Sequence, residues 1–600
     1  MPSPGFNHVL SMILPAALPK PVQHAIAGPI GLRRIESLYQ ELITSADARA
    51  IPSRLLNRLQ IQYRVSDKDL AHLPRTGPTM VVSNHPFGIL DGAILSDLLL
   101  SVRSDVKLLA NGILGVAREM RDLLIEVDPL SGAPAVSQNV GGLRKAYRHV
   151  LAGGLLAVFP AGEVSHFQWN RRGVEDSEWN NMVARLAAAL HRHNCDATIV
   201  PIHIGGANSF LFQTAGVFHP RIRTVLLARE LLNKRGREIE VRLGTPISSA
   251  RLLRMASEFE STEYLRWRTY LLARRNPYKA NTTAPIRTRR KNGGNAAVSP
   301  PVSPNALCDD IAALPSDSML GVSGDLRVFL ATARQIPAVL AEIGRLRELT
   351  FRLAGEGTGK SADIDKFDEG YEHLFVWNAR TQEVVGAYRL AGTDIVQSRF
   401  GSKGLYTATL FDYSQRFLDQ INPALELGRS FVRAEYQRTF APLLLLWKGI
   451  GQYIARHPRY KVLFGPVSIS NAYQSVSREL MVSWLERRAS LATLKNLVTS
   501  KHPFRFRSEM PKHWLPEIED LSDVVEDIEP DRRGVPVLLR HYLKLGGKLL
   551  CFNIDPAFSN ALDGLILVDL TQTDPKILER YLGRAEAIAF RSFHKSACDQ

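Results

Sequence analysis

The sequence predicts an α/β protein of two domains, and three observations carry that reading. The chain has 600 residues, more than one hydrophobic core can organise. Between residues 78 and 250, short β-branched runs alternate with helical stretches, the rhythm of a sheet joined by helical crossovers. A stretch without any acidic residue, 274–305, rich in Pro, Gly, Ser and Asn, then separates this rhythm from a second one. The expected organisation is N-terminal helices over 1–60, an α/β domain over 61–273, a basic linker over 274–320 and a second α/β domain over 321–585.

Residues 1–45 alternate apolar helical pieces with proline breaks. They read either as an amphipathic segment in a membrane interface, with Lys20, Arg33 and Arg34 towards headgroups, or as helices packed on the following domain. The first domain runs through strand TMVVSN (79–84), a helix around Asp91, and strands VKLLA (106–110) and LLIEVD (123–128). Helix 140–154, strand LLAVFPAG (155–162), helix 180–193 and strands ATIVPIHIGG (197–206) and EIEVRLG (238–244) complete it. His85, Glu163 and His203 fall at strand ends, where the sites of open α/β sheets gather. In the second domain a helix over 336–353 precedes the hairpin HLFVWN (373–378) and EVVGAYRLA (383–391). GLYTATLF (404–411), strand ALELGRSFV (424–432), helix 441–457 and strand KVLFGPVSI (461–469) follow, giving a mixed sheet crossed by helices. The acidic stretch 517–531 reads as a surface loop, and strands KLLCFNID (548–555) and GLILVDL (564–570) precede a terminal helix.

With 45% hydrophobic and 22% charged residues the chain is an ordinary globular sequence, but its net charge is +16. Such a balance calls for a polyanionic neighbour. No Lys/Arg stripe with interleaved aromatics appears, so an anionic membrane surface and an acidic carrier protein rank ahead of nucleic acid. Cys195, Cys308, Cys551 and Cys598 are scattered, which reads as a reduced, intracellular chain, and His191 and His193 lack ligand company for a metal. There is neither an 18-residue uncharged apolar run nor a signal peptide. The expected location is cytoplasmic, peripheral on the inner face of the plasma membrane.

The chemistry concentrates in VVSNHPFGILDG (81–92). His85 ends a strand, Gly88 turns the chain and Asp91 opens a helix. An imidazole with a carboxylate behind it can pull a proton from a hydroxyl, the acid fixing the tautomer and stabilising the cation. The simpler alternative is an Asp that caps the helix beside a His packed on the turn.

His85 and Asp91, followed in order by FPAGEVS (159–165) and VPIHI (200–204), resemble the glycerolipid acyltransferases related to 1-acylglycerol-3-phosphate acyltransferase, over roughly 60–250. The resemblance implies that His85 is the general base and Asp91 its orienter. It also implies that Asn84, Gly88, Phe159, Pro160, Gly162 and Glu163 line the substrate site, with amides near Gly162 as oxyanion donors. Two departures matter. Five residues separate His85 from Asp91 where the family has four, which requires a bulged turn at Gly88. Val164 and Asp128 fall where the family places arginines for a phosphate, so the expected acceptor carries no phosphomonoester.

Over about 325–575, ELGRSFV (426–432), LLLLWKGIG (443–451) and the downstream VPVLLRHYLKLGGKLLCFNIDPAF resemble the hemolysin-like GNAT acyltransferases, which include ornithine N-acyltransferases. By that resemblance Glu426 orients the amine nucleophile, while Arg429 and Ser430 hold substrate; a structural Glu426–Arg429 ion pair is the alternative. The coenzyme A pyrophosphate loop of common GNAT enzymes is missing around 433–441, which suits an acyl carrier protein donor and no cofactor. Together the halves resemble the bifunctional ornithine lipid synthases. The implied function is N-acylation of ornithine with a 3-hydroxyacyl group, then O-acylation of that hydroxyl. The rival readings are a lysophospholipid acyltransferase with an inactive GNAT appendage and a membrane-binding hemolysin-like protein.

Overall fold

The computed structural model describes residues 32–42, 48–111, 122–127, 135–169, 173–218, 220–275, 296–437, 439, 441–505 and 515–596. Asp128, most of residues 1–45 and most of the basic 274–295 stretch lie outside the described residues. The chain divides into two compact units. One comprises Met1–Asn276, Lys512–Pro516 and Glu526–Arg532; the other comprises Pro277–Pro511, Glu517–Val525 and Arg533–Gln600.

The first unit contains β1 (Gln62–Arg64), β2 (Thr79–Ser83), β3 (Val106–Asn111), β4 (Leu124–Val127) and β5 (Leu155–Val158). A small hairpin, β6 (His166–Gln168) and β7 (Gly173–Glu175), precedes β8 (Thr198–Ile204), β9 (Glu238–Leu243) and β10 (Ile247–Ser248). The sheet order is β1-β9-β8-β2-β5-β3-β4, with β10 on β8. Central β2 pairs in parallel with β5 and β8 and is buried along its whole length. Its unbroken apolar sequence is what a strand covered on both faces requires. It delivers Asn84 and His85 beyond its C-terminal end. Helix α1 (Ile89–Leu100) follows, and Leu90, Ile94, Leu95 and Leu99 are wholly buried in one core with Val81, Val200 and Ile202.

The other side of this unit rests on buried charges. Arg268 on α2 (Glu258–Leu271) pairs with Asp527 at 2.7 Å, neither having any exposure. Asp527 also accepts from the Thr245 amide at 2.7 Å, and Arg275 pairs with Asp69 at 2.8 Å. Arg532 lies 3.6 Å from Asp527 and also meets Asp69.

The second unit contains β11 (Met319–Ser323), β12 (Leu326–Thr332), β13 (Glu372–Asn378), β14 (Glu383–Gly392) and β15 (Phe411–Tyr413). Then come β16 (Ala424–Val432), β17 (Val462–Ile469), β18 (Val498–Ser500), β19 (Lys548–Asp555) and β20 (Ala561–Asp569). The main sheet runs β11-β12-β13-β14-β16-β17-β20-β19. Its parallel pair is β16–β17, joined by the helix α4 (Ala441–Arg456), as a parallel crossover demands. Helix α3 (Pro337–Leu353) packs Val339, Ile343 and Leu346 into a core with Phe375, Ala387 and Phe431.

The β16–β17 pairing covers Ala424–Glu426 against Val462–Phe464 and then stops. Beyond it β16 stays with β14 and β17 stays with β20, so the two strands part. Gly465 is at the fork, where any Cβ would run into the Leu427 carbonyl oxygen. The β14–β16 register slips between Ala387 and Arg389, and Arg429 takes φ +50°, the mark of a bulge.

Two local expectations change. The acidic stretch 517–531 holds a helix, Ile518–Ile528, because Leu521, Val524, Val525 and Ile528 recur at helical spacing and are fully buried. Within 274–320, residues Pro304–Ala312 form a helix and Met319–Ser323 the sheet's edge strand. No described helix is long and apolar enough to cross a membrane. Substituting Asp527→Ala leaves the buried Arg268 guanidinium unpaired, and a loss of about 3–5 kcal/mol is expected, read as a lower urea midpoint.

Candidate functional site

In the first unit the turn after β2 brings His85 and Asp91 together, six positions apart, at 2.9 Å between Nδ1 and Oδ2. Gly88 at φ +86° makes this return possible. The same Oδ2 accepts the amides of Phe87 at 2.7 Å and Gly88 at 2.8 Å. Burial pushes the Asp91 carboxyl up, and His85 with the two amides opposes that shift. Phe159 stacks on the imidazole with ring centroids 4.2 Å apart. The His85 side chain is 18% exposed, and its Nε2 has no hydrogen-bond partner among the described residues. An imidazole backed on one nitrogen and open on the other can accept a proton.

Other predicted residues support this turn. Both polar atoms of the Asn84 amide are spent on the backbone of Ile204, at 2.9 and 2.7 Å, so it straps β2 to β8 and does not face substrate. The Pro160 carbonyl accepts from Asn180. The Gly162 amide donates to the Phe159 carbonyl at 3.1 Å, so that N–H is not an oxyanion donor; Glu163 is exposed beside it. Val164 lies where a Gly88 Cβ would meet its Cγ2 at 3.3 Å, so the position is apolar. Lys234 places its Nζ 4.9 Å from the Phe87 ring, yet donates to Ala207 O at 2.8 Å. Burial, with Arg242 and Arg275 nearby, pushes the His203 imidazole down to about 3.

Asp176 was not legible. Its Oδ1 accepts the His85 amide at 3.1 Å and the Ser165 hydroxyl, while Oδ2 accepts the Trp179 indole at 2.8 Å. The Ser165 amide in turn donates to His85 O at 2.8 Å. One buried carboxylate thus ties the histidine turn to the FPAGEVS segment.

In the second unit Glu426 and Arg429 do not pair with each other. Both Glu426 oxygens are occupied: by Tyr371, by the Thr407 hydroxyl, and by the amides of Tyr406 at 3.2 Å and Thr407 at 2.7 Å. The carboxylate therefore holds the 406–409 turn and is not turned to an amine. Arg429 lies between the rings of Tyr406 and Phe558, 4.8 and 4.9 Å away, with Asp363 at 3.3 Å and Asp365 at 3.7 Å. Burial works against its charge, but Tyr406, Asp363, Asp365 and Asp555 outweigh that and push the guanidinium up. Asp368 joins Arg347 at 2.7 Å and Arg389 at 3.2 Å behind it. The signal for this network was DIDKFD (363–368), three aspartates in six positions.

Two further carboxyls feel the Arg429 charge. Burial, then neighbouring Asp563, pushes Glu356 up to about 8, and burial pushes Asp563 up to about 7 although Ser468 donates to it at 2.7 Å. No cluster of metal-ligating type occurs among the described residues. Each raised carboxyl keeps its proton in the folded unit and releases it on unfolding. Stability should therefore fall as pH rises from about 4.5 towards about 8. Glu356→Gln is expected to flatten that decline in urea midpoints taken across this range.

Family models match residues 56–279 as "Acyltransferase" and residues 346–448 as "Acetyltransferase (GNAT) domain". A glycine N(alpha)-acyltransferase from Phocaeicola vulgatus is 31% identical over 41% of this chain and 80% of its own length. One of the same name from Bacteroides thetaiotaomicron is 38% identical over 38% of this chain and 71% of its own. A lyso-glycine lipid O-acyltransferase from Phocaeicola vulgatus is 27% identical over 31% of this chain and 65% of its own. The α/β organisation with an acyltransferase-type domain before a GNAT-type domain is as expected from the sequence. The chain is an acyltransferase and belongs to the GNAT acyltransferase family represented by the two glycine N(alpha)-acyltransferases.

Proposed function

We propose that this acyltransferase builds an aminolipid in two steps, with the second unit N-acylating an amino acid and the first O-acylating the product. The observation that carries the reading is the His85 ring, held at Nδ1 by Asp91 and open at Nε2. The similar proteins bear the names of an N-acyltransferase and a lyso-lipid O-acyltransferase, and this chain resembles both kinds. Neither glycine nor ornithine carries a hydroxyl. The oxygen acylated in the second step must therefore arrive on the first acyl chain, and we assign it to a 3-hydroxyacyl group.

In the first step the amine nitrogen attacks the thioester carbonyl, a C–N bond forms, the C–S bond breaks and the carrier thiol leaves. The proton lost by the amine leaves with the carrier sulfur as the thiol. In the second step the hydroxyl oxygen attacks another thioester. Its proton goes to His85 Nε2 and then to the departing thiolate. Asp91 keeps the ring in the required tautomer. An apolar Val164 against the Gly88 turn supports an acceptor without a phosphomonoester.

Ornithine is the head group that the resemblance of the second unit implies, and the charged Arg429 guanidinium suits its carboxylate. Glycine is the second reading, favoured by the names of the similar proteins. The net charge of +16 supports acyl carrier protein as donor and peripheral attachment to the anionic inner face of the plasma membrane.

Lipid mass spectrometry of a bacterium without aminolipids, expressing this chain, should reveal a doubly acylated ornithine lipid; glycine lipid alone would assign the other head group. His85→Ala should leave N-acylation intact and accumulate the mono-acylated intermediate. Loss of both products in a folded variant would refute this division of labour. Asp91→Asn should lower O-acylation by about 10²-fold or more in steady-state assays with the intermediate as substrate.

A further inference from the structure

Large apolar side chains stand in water at one place beside the histidine turn. Trp169 is 78% exposed and Phe210 83%, and Phe167 and Leu211 are exposed with them. They belong to two elements that are tied together. The hairpin of β6 and β7 carries Phe167 and leads into Trp169, the two rings meeting edge to face with centroids 5.1 Å apart. The helix Phe210–Phe218 carries Phe210 and Leu211, and the Oε1 of its Gln213 accepts the Phe167 amide at 3.0 Å. Phe212 is buried and anchors that helix, which leaves Phe210 and Leu211 on its outer side. A single exposed aromatic needs no partner, but a cluster on neighbouring elements marks a surface that is covered when the protein works.

Charge identifies the cover. From Val164 to Val174 the sequence has no acidic residue, and Arg171 and Arg172 follow closely on the aromatic pair. From Gly205 to Arg229 it again has none, and Arg221, Arg223 and Arg229 follow Phe210 and Leu211. Aromatic rings bordered by arginines, without acids, suit the headgroup level of an anionic bilayer, where rings enter the acyl boundary and guanidinium groups meet phosphates. Position agrees with this. The Ser165 amide donates to the His85 carbonyl at 2.8 Å, and β6 starts at the next residue. Ile89, which follows Gly88 in the histidine turn, is exposed too. Resting on the reading of the first unit as a lipid O-acyltransferase, we propose that Phe167, Trp169, Phe210 and Leu211 insert into an anionic membrane. They bring the His85 site to the level where the mono-acylated acceptor lies, so that its acyl chain need not cross water to reach the base.

The test mixes the purified full chain with vesicles of phosphatidylglycerol and phosphatidylcholine in equal parts and measures bound protein by flotation. Wild type should bind, and the same lipids with brominated acyl chains should quench its tryptophan fluorescence. Trp169→Phe should remove most of that quenching, because Trp169 is the exposed tryptophan among the described residues. Trp169→Ser combined with Phe210→Ser should lower the partition coefficient about tenfold, as expected when two aromatic side chains no longer enter the boundary. The net charge of +16 is untouched by these changes, so the loss separates insertion from general attraction to anions. Equal partition of wild type and double variant, or quenching that Trp169→Phe leaves intact, overturns the proposal. So does a double variant with a lowered urea midpoint, or one that elutes as monomer where wild type is a dimer, since the chain itself or a second copy then covers the patch. A chain that binds vesicles through this patch yet O-acylates no lipid refutes the functional reading alone.

Discussion

The first unit depends on one carboxylate. Asp91 is fully buried, which works against its charge, and three donors on Oδ2 oppose that cost while Oδ1 has no partner among the described residues. The imidazole and the amides of Phe87 and Gly88 converge on a single oxygen, so position, tautomer and turn are set together. That is why Gly88 matters: its positive φ folds the amides back towards the acid, and Leu227 and Val164 leave little space for a side chain there. The longer His-to-Asp spacing is absorbed in this turn.

In the second unit the equivalent constraint is spread over several groups. Arg347, Arg389 and Arg429 face Asp363, Asp365 and Asp368, and aromatic rings separate them from water. Removing one member would leave a buried charge uncompensated, which is costlier than never having had the pair. Glu426 takes part indirectly, by holding the turn that presents Tyr406 to Arg429.

Much of this was legible where the signal was local. The β-branched run ending in Asn84 and His85, the carboxylate six positions on, and the ELGRS strand are short patterns whose chemistry and structure coincide. Asp176 was not, because it is 91 positions from His85 in a stretch without periodicity and acts only through the tertiary fold. The helix Ile518–Ile528 was hidden for a different reason: its acids suggested a loop, while its apolar residues carried the helical spacing. The hydrogen bonds of Glu426 were not legible, because residue type shows that an acid is present, not which amides will claim its oxygens. Asn84 teaches the same about amides, its capacity being absorbed by Ile204.

The parting of β16 and β17 hangs on the bare backbone at Gly465, where a methyl group would collide with the Leu427 peptide. An alanine there would have to reshape the wedge between the two strands, not merely fill it.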